Sequence, residues 1–297
     1  MVLPALGLGA AVGGALLAYG VAEARWYRLR HRVLDGVLRR PGASMRVLHV
    51  SDVHLARGQD HRVRFLRSLA ELEPDLTVVT GDLLGDVGVE EAAADAVGAL
   101  TGPGRPGLFV LGSNDLYGPI WKSPTRYLTG RRIAVEGTPL ATERLLGLLE
   151  ERGYTTVRNT ATAVETRAGT VAVGGIDDPH LEDTVIPAPD VLAPAASGES
   201  DAALHLGLVH APYVAALDAL SDAGHDLLLA GHTHGGQVRL PGVGALTANC
   251  DLPLSQARGS SRWRDRWLHV SPGLGHSKYT PVRFACRPEA TLLELRG

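Results

Sequence analysis

Residues 227–237 read LLLAGHTHGGQ, an apolar run followed by two histidines and two glycines. The apolar run is typical of a buried strand. His232 and His234 lie in the turn after that strand, where they are hard to justify as packing residues. Gly235 and Gly236 allow the backbone to turn tightly beneath a ligand. The stretch therefore predicts a strand that ends at a ligand-binding loop.

Four other apolar runs end in polar residues in the same way: LHVSDVH, TVVTGD, LFVLGSND and LGLVH. They alternate with amphipathic stretches, which predicts an α/β fold with a mostly parallel sheet covered by helices on both faces. Extra strands in the middle and at the end of the chain predict a second sheet packed on the first. Ligands bind outside the carboxyl ends of such strands, so the polar residues should converge on one rim. These residues are Asp52, His54, Asp82, Asn114, His210, His232 and His234.

The converging side chains offer oxygen and imidazole nitrogen atoms and no sulfur. This donor set suits Mn, Fe, Zn or Co in a hydrolytic site better than Ca or a thiolate-bound Zn. The donors are more than one four-coordinate ion needs, whereas two ions about 3.5–4 Å apart that share a carboxylate would use them. Such a pair can clamp a phosphate and hold a bridging hydroxide that attacks phosphorus. Two divalent or trivalent metal ions are therefore the predicted cofactors.

The order DVH, GD, GSND, H and GHTH, from Met45 to the C-terminus, resembles the calcineurin-like metallophosphoesterases. LVHAP, GHTHGGQ and the closing GLG…PVRF stretch are most similar to the membrane-associated bacterial subgroup. The resemblance implies a four-layer α/β/β/α sandwich and a binuclear centre that hydrolyses a phosphodiester, a pyrophosphate or a phosphomonoester. The ligands it implies are Asp52, His54, Asp82 and His234 for one ion, and Asp82, Asn114, His210 and His232 for the other. Asp82 would bridge the ions, and Asp82, Asn114 and His210 are the predicted catalytic residues.

The run at residues 112–115, GSND, departs from the family's usual Gly-Asn-His-Asp or Glu. Aligned on its first and last residues, the run places Ser113 at the ligand position and Asn114 at the position of the catalytic histidine. Slipped by one residue, Asn114 keeps the ligand role and Asp115 follows it. An amide oxygen is a better ligand than a hydroxyl, which favours Asn114.

In both alignments the usual histidine is missing, and losing a general acid typically costs about 10²–10⁴-fold in rate. The substrate is then expected to have a good leaving group, such as pyrophosphate or phenolate, unless His180 or His276 substitutes. Both follow strand ends that contain glycine. Asp115, His180 and His276 are additional candidates for substrate contact. Residues 118–130 (GPIWKSPTRYLTG) are either a lid over the site or a packed surface loop.

Residues 2–22 carry no charged side chain, and several arginines follow them. About twenty apolar residues can cross a bilayer core of about 30 Å. The segment has no polar face, which argues against a buried helix of a soluble domain. We expect a transmembrane anchor at 1–24, a basic juxtamembrane linker at 25–44 and a metallophosphoesterase domain at 45–297. The arginines predict a single-pass cell-membrane protein whose catalytic domain is cytoplasmic.

The net charge of −3 includes no basic excess that would indicate nucleic acid. The expected partners are a phosphorylated small-molecule or lipid-linked substrate, and a membrane contacted through the N-terminal helix. Cys250 and Cys286 are not in a CxxC pair, which disfavours a thiolate zinc site. They are either small buried residues or a disulfide. The alternative function is a non-catalytic metal-binding scaffold, which the missing histidine permits and the converging donors disfavour.

Overall fold

The computed structural model describes residues 2–121, 137–181, 184–276 and 278–297, with side chains from residue 11 onward. Residues 122–130 of the candidate lid therefore lie outside the described residues. The α-helices of the described part are α1 (Val2–Glu23), α2 (Asp60–Ser68), α3 (Glu90–Gly98), α4 (Ser113–Leu116), α5 (Thr142–Glu151), α6 (Pro189–Leu192) and α7 (Val214–Asp222). The strands up to the middle of the chain are β1 (Arg28–Leu34), β2 (Ser44–Val50), β3 (Leu76–Thr80), β4 (Gly107–Val110), β5 (Tyr154–Thr156), β6 (Thr160–Thr166) and β7 (Gly169–Ile176). The later strands are β8 (Leu204–Val209), β9 (Leu227–Ala230), β10 (Arg239–Leu240), β11 (Gly244–Ala245), β12 (Gly259–Trp263), β13 (Arg266–Val270) and β14 (Glu289–Arg296).

Most of these strands form two six-stranded sheets, which confirms the predicted mixed α/β fold. The first sheet has the order β1-β14-β2-β3-β4-β5, and β2 to β5 run parallel to one another. The second sheet has the order β12-β13-β9-β8-β7-β6, and β13, β9, β8 and β7 are parallel. The central strands β3 and β9 are buried along their whole length, as expected of parallel strands that are covered on both faces.

Apolar side chains fill three layers of the molecule. Between the sheets, Val47 and Val78 of the first sheet belong to the same buried cluster as Leu206 and Leu229 of the second. On the outer face of the first sheet, residues of α2, α3 and α5 pack over the strands. On the outer face of the second sheet, α6 and α7 do the same. The layers therefore run helix, sheet, sheet, helix, and the carboxyl ends of both sheets face the same rim.

The N-terminal helix α1 differs from its prediction. Among the residues that the structure describes, no helix is both long enough and apolar enough to cross a membrane, so the predicted transmembrane anchor is not supported. The last turn of α1 packs on the domain instead. Glu23 is 2% exposed, and its carboxylate accepts hydrogen bonds from the backbone N–H groups of Ala285 and Cys286, each at 2.9 Å. The Gly20 carbonyl accepts one from Arg283 at 3.0 Å.

Part of the segment predicted as a juxtamembrane linker is a strand. Residues 28–34 form β1, which pairs in parallel with β14 at the edge of the first sheet. Glu289, which is 1% exposed, receives hydrogen bonds from Arg28 at 2.7 Å and from Arg30 at 3.1 Å. The basic residues therefore bind a buried carboxylate of the C-terminal strand. Glu289 lies 259 residues from Arg30 in sequence, so the local pattern does not reveal this partner. For that reason the arginine-rich pattern alone indicated a membrane flank.

Candidate metal centre

The two sheets contribute their strand ends to one rim, and the predicted ligands meet there. Asp52 and His54 follow β2, Asp82 follows β3, and Asn114 lies in α4 just after β4. The second sheet supplies His210 after β8, and His232 and His234 after β9. Contacts join the two sets across the sheets: His210 Nε2 lies 3.4 Å from Asp82 Oδ2, and His234 Nε2 lies 3.6 Å from Asp52 Oδ1.

Backbone strain is concentrated at these residues. Five of the candidate ligands adopt left-handed backbone conformations: Asp52 (φ 47°), His54 (φ 44°), Asp82 (φ 53°), His232 (φ 67°) and His234 (φ 49°). Such conformations cost non-glycine residues on the order of 1–3 kcal/mol each and persist where the surrounding structure imposes them. Here the strand ends turn sharply so that each side chain points into the shared rim.

Two glycines leave room for these side chains. A Cβ atom at Gly231 would collide with Ser51 Oγ and lie 2.6 Å from Asp52 Oδ2. A Cβ atom at Gly112 would collide with Asp82 Oδ1 and lie 2.6 Å from the Asp82 backbone nitrogen. Gly231 immediately precedes His232, and Gly112 immediately precedes α4, which carries Asn114. The side chain of any other residue at Gly231 or Gly112 would fill the space that the carboxylate of Asp52 or Asp82 occupies.

The first group of donors comprises Asp52, His54 and His234, whose ligand atoms all lie within 4.8 Å of one another. The Nε2 atoms of the two histidines are 3.2 Å apart. Burial lowers the pKa of His54 to about 4 and, together with the neighbouring His54 and Arg283, holds the pKa of His234 well below its usual range. Both imidazoles are therefore neutral near pH 7 and have a lone pair available for a metal.

The second group comprises Asp52, Asp82 and His210, again within 4.8 Å. The orientation of His210 is set by Thr80, whose carbonyl accepts a hydrogen bond from Nδ1–H at 2.7 Å. That bond leaves Nε2 facing Asp82. Within the described residues this nitrogen is buried and has no hydrogen-bond partner. A buried imidazole nitrogen without a partner, oriented by a bond from its other nitrogen, is the arrangement of a metal ligand, so the donor set fits a metal ion.

The electrostatics of the rim also favour a cation. Burial raises the pKa of Asp52 to about 7, and the nearby Asp82 carboxylate adds to the effect. Burial opposes charge on His210, but Asp82, Asp178 and Asp52 together raise its pKa well above the usual range. Buried carboxylates are costly unless a positive charge compensates them. In the metal-free protein a proton on His210 supplies that charge, and a metal ion bound at Nε2 would take the place of this proton.

Asn114 reaches the same carboxylate. Its backbone N–H donates to Asp82 Oδ1 at 2.8 Å, and its carboxamide nitrogen lies 2.7 Å from Asp82 Oδ2. The oxygen and nitrogen of a carboxamide are told apart only by their partners, so a metal at this position would turn the oxygen inward. The backbone N–H of Ser113 donates to Asp178 at 2.8 Å. The structure therefore brings the Asn114 carboxamide to Asp82.

His232 is oriented by its surroundings in the same manner as His210. Its Nε2 lies 3.2 Å from the Asn249 carbonyl oxygen and 3.4 Å from the Asn249 side-chain nitrogen, and these contacts set the orientation of the ring. Its backbone N–H donates to both oxygens of Asp52, at 3.1 and 3.0 Å. Asn249 is a residue that the sequence pattern does not indicate, because it lies in an irregular segment after β11.

Asp115, a candidate for substrate contact, accepts hydrogen bonds from the backbone of the loops beside it. Asp115 is wholly buried, and its two carboxylate oxygens accept four backbone hydrogen bonds. Three of the donors are Asp82, Leu83 and Leu84, at 2.8, 2.7 and 3.1 Å, and the fourth is Gly112 at 3.0 Å. Asp115 therefore holds the loop that carries Asp82. The adjacency of β3 and β4 creates this contact, and no local pattern reveals it.

His180 and His276 both lie beside the rim. The His180 ring centroid is 4.6 Å from that of His232, and His180 Nδ1 is 2.9 Å from the Tyr213 hydroxyl. His276 lines a cavity next to His54. The predicted positions of both residues near the site are thus consistent with the geometry.

Two further residues support the site and were missed from the sequence. Asp178 is 1% exposed and accepts hydrogen bonds from the backbone of Ser113 and His180. The same strand-end rule could have found it, because it follows β7. Arg283 is wholly buried, with its Nη2 atom 3.3 Å from His234 Nδ1 and 2.6 Å from the Gly275 carbonyl. Arg283 belongs to the PVRF stretch that carries part of the resemblance, but its place beside His234 depends on tertiary packing.

Residues 45–236 match the model of the calcineurin-like phosphoesterase family, and the chain belongs to that family. It is therefore a metallophosphoesterase, and metallophosphoesterases are hydrolases. Phosphodiesterase YaeI of Escherichia coli (strain K12) is 27% identical over 288 residues, which cover 92% of this chain and 90% of that protein. The uncharacterized metallophosphoesterase YkoQ of Bacillus subtilis (strain 168) is 33% identical over 155 residues. That match covers 52% of this chain and 53% of YkoQ, about half the length of each.

Among solved structures, TT1561 of Thermus thermophilus aligns with 77% of this chain and 90% of its own, with 15% identity and a TM-score of 0.45.

Proposed function

We propose that this protein hydrolyses phosphoester bonds with two metal ions held by the side chains of the rim. One observation carries the proposal: Asp82 Oδ2 lies 3.4 Å from His54 Nε2 and also 3.4 Å from His210 Nε2. One carboxylate thus stands between a histidine of each group, where a bridging ligand would be needed. Asp52, His54, Asp82 and His234 would hold one ion, and Asp82, Asn114, His210 and His232 the other.

The metal ions, when bound, would supply Lewis-acid activation of a phosphate and of an attacking hydroxide shared between them. The protein's own residues hold that geometry. Asp115 positions the Asp82 loop, and Thr80 orients His210. His180 is the candidate that replaces the family's usual histidine as proton donor to the leaving group, since its ring lies against that of His232.

The substrate is proposed to be a phosphodiester or a pyrophosphate, because the GSND run favours a good leaving group and YaeI is named a phosphodiesterase. A phosphorylated small molecule or a lipid-linked phosphate remains the proposed substrate class, and nucleic acid is not expected. Contact with a membrane through α1 also stays a proposal. It is supported by Val12, Leu16 and Leu17, which are each more than half exposed. One bovine relative, 28% identical over 86% of this chain, is named a transmembrane protein with a metallophosphoesterase domain.

The test uses the full chain loaded with Mn²⁺, assayed on an aryl phosphodiester and an aryl phosphomonoester. Asp82→Ala should abolish turnover and reduce the bound metal, whereas the matched control Asp190→Ala, an exposed residue of α6, should leave both unchanged. A folded protein that binds metal but turns over no faster than Asp82→Ala would favour the scaffold alternative. A folded protein that binds no metal would contradict the proposal.

A further inference from the structure

A cavity of about 300 Å³ lies beside His54, between the loop after β2, the start of α2 and the end of α1. Besides His54, the basic and imidazole side chains that line it are Arg25, Arg57, His61, Arg62, His276 and Lys278. Among the described residues that line it, none is Asp or Glu. Its remaining wall is partly apolar, with Val21 and Ala24 from α1.

The positive charge of this cavity is only partly compensated. Lys278 forms an ion pair with Asp86 at 3.1 Å, and Asp86 does not line the cavity. Arg57 donates a hydrogen bond to the carbonyl of Val87 at 3.0 Å. Arg25 is exposed. Together with Arg62, these three basic residues make four permanent cations that line the cavity, and the carboxylate that pairs with Lys278 lies outside it, which favours an anionic occupant.

A buried arginine strengthens this interpretation. Arg62 is 1% exposed, and its side-chain hydrogen bonds within the described residues go to neutral oxygens. These are the carbonyls of Val53 and His54, at 2.6 and 2.7 Å, and the hydroxyl of Tyr27 at 3.2 Å. A buried cation without a paired carboxylate is costly, and an anion in the adjoining cavity would offset that cost.

We propose that this cavity, next to the metal rim at His54, is a subsite for a second anionic group of the substrate, a phosphate attached next to the phosphoester that is cleaved. The inference rests on the proposed function and narrows its substrate class to diphosphate esters and to phosphodiesters with a neighbouring phosphate. Val21 and Ala24 would give an organic group attached to that phosphate an apolar surface to contact.

The experiment compares two substrates that differ by one phosphate: p-nitrophenyl methyl phosphate, and the diphosphate with p-nitrophenyl on one phosphorus and methyl on the other. Attack at the aryl-bearing phosphorus releases nitrophenolate from the monophosphate and either nitrophenolate or methyl phosphate from the diphosphate, so phosphorus NMR of all products measures turnover of both. The full Mn²⁺-loaded chain should favour the diphosphate in kcat/KM by about tenfold or more. The double variant Arg57→Ala, Lys278→Ala should lower that preference by about 5–10-fold, since each partly exposed charge contributes about two- to threefold.

The matched control is Arg64→Ala, an exposed arginine of α2 that does not line the cavity, which should keep the preference. Equal preference in the parent and the double variant, or no preference in the parent, overturns the subsite while hydrolysis of the methyl ester still supports the proposed function. If neither ester is turned over, calorimetry with methyl diphosphate and methyl phosphate decides: the subsite requires tighter binding of the diphosphate that the double variant loses.

Discussion

Supporting contacts, rather than the ligands alone, determine the shape of the rim at the scale of single residues. The Thr80 carbonyl orients His210, the Asn249 carbonyl orients His232, and Asp115 holds the backbone at Asp82. Residues that hold ligands in position commonly matter nearly as much as the ligands themselves. Substitutions one contact away from the rim should therefore change metal affinity as well.

Asn114 and Ser113 are the two alternatives for the metal ligand in the GSND run, and substitution of each distinguishes them. Asn114→Ala should weaken binding of the second metal and lower kcat by about 10–100-fold, the usual cost of disturbing a metal site. Ser113→Ala should have little effect, because the structure brings the Asn114 carboxamide to Asp82. Metal content and kcat of both purified variants provide the measurement. The reverse order of effects would assign the ligand role to Ser113.

His225 should make the stability of the metal-free protein depend on pH. It is wholly buried, its Nε2–H donates to the Leu192 carbonyl at 3.0 Å, and burial lowers its pKa from 6.5 to about 4. In the unfolded chain the imidazole of His225 therefore binds a proton near pH 6.5, whereas in the folded chain it binds one only near pH 4. Stability from this residue is fully present above pH 6.5 and is lost as the pH falls through that window, by on the order of 3 kcal/mol.

Urea unfolding of His225→Gln at several pH values between 7.5 and 4, in the presence of a chelator, measures this contribution. The variant should lose less stability than the parent across the window, and His31→Gln, at an exposed position of β1, should follow the parent. Parallel curves for the parent and His225→Gln would contradict the assignment.

At the scale of elements, the last turn of α1 is attached to the domain by one buried carboxylate. Glu23→Ala removes the acceptor for the N–H groups of Ala285 and Cys286. Leaving buried donors unpaired costs about 1–3 kcal/mol, so the free energy of unfolding should fall by that amount. Tyr19 supports the same junction, since its ring meets those of Trp26 and Phe284 at 5.8 and 5.4 Å.

Urea denaturation of Glu23→Ala beside Glu143→Ala, whose side chain is 87% exposed, tests this attachment. The control should unfold like the parent. Since Val21, Ala24 and Arg25 line the cavity, the Glu23 variant should also lose part of the diphosphate preference. Equal stability of the two variants would show that α1 is not held through Glu23.

At the scale of the whole molecule, the rim joins the two sheets. Asp52 and Asp82 come from the first sheet, and His210, His232 and His234 come from the second. Metal ions bound between them would link layers whose shared core is mainly apolar. Binding to the folded state only should therefore stabilise the protein by about 2.7 kcal/mol when free metal is 100 times its Kd.

Thermal unfolding with Mn²⁺ and with a chelator measures this linkage. The parent should unfold at a higher temperature with Mn²⁺, Asp82→Ala should show a much smaller shift, and His225→Gln should keep the full shift. A shift of the same size in Asp82→Ala would mean that the metal stabilises the protein from another site.

The amino-acid sequence by itself determined the alternation of strands and helices, the two sheets, and the residues that meet at the rim. These features are local: an apolar run specifies a buried strand, and a polar residue just after it lies at the strand's carboxyl end. Parallel pairing then brings such ends together without further information. For this reason Asp52, Asp82, His210 and His234 were identified from short motifs, although they lie up to 182 positions apart.

Only the tertiary structure decided the features that depend on partners distant in sequence. Arg28 and Arg30 of β1 bind Glu289, Glu23 binds the backbone at Ala285, and Asp115 binds the backbone at Asp82. The basic cavity likewise gathers Arg57 and Lys278 from segments far apart along the chain. The charge and hydropathy of a side chain follow from its residue type and can be read from the sequence. Its partner depends on how the sheets and loops pack, and no local pattern contains that information.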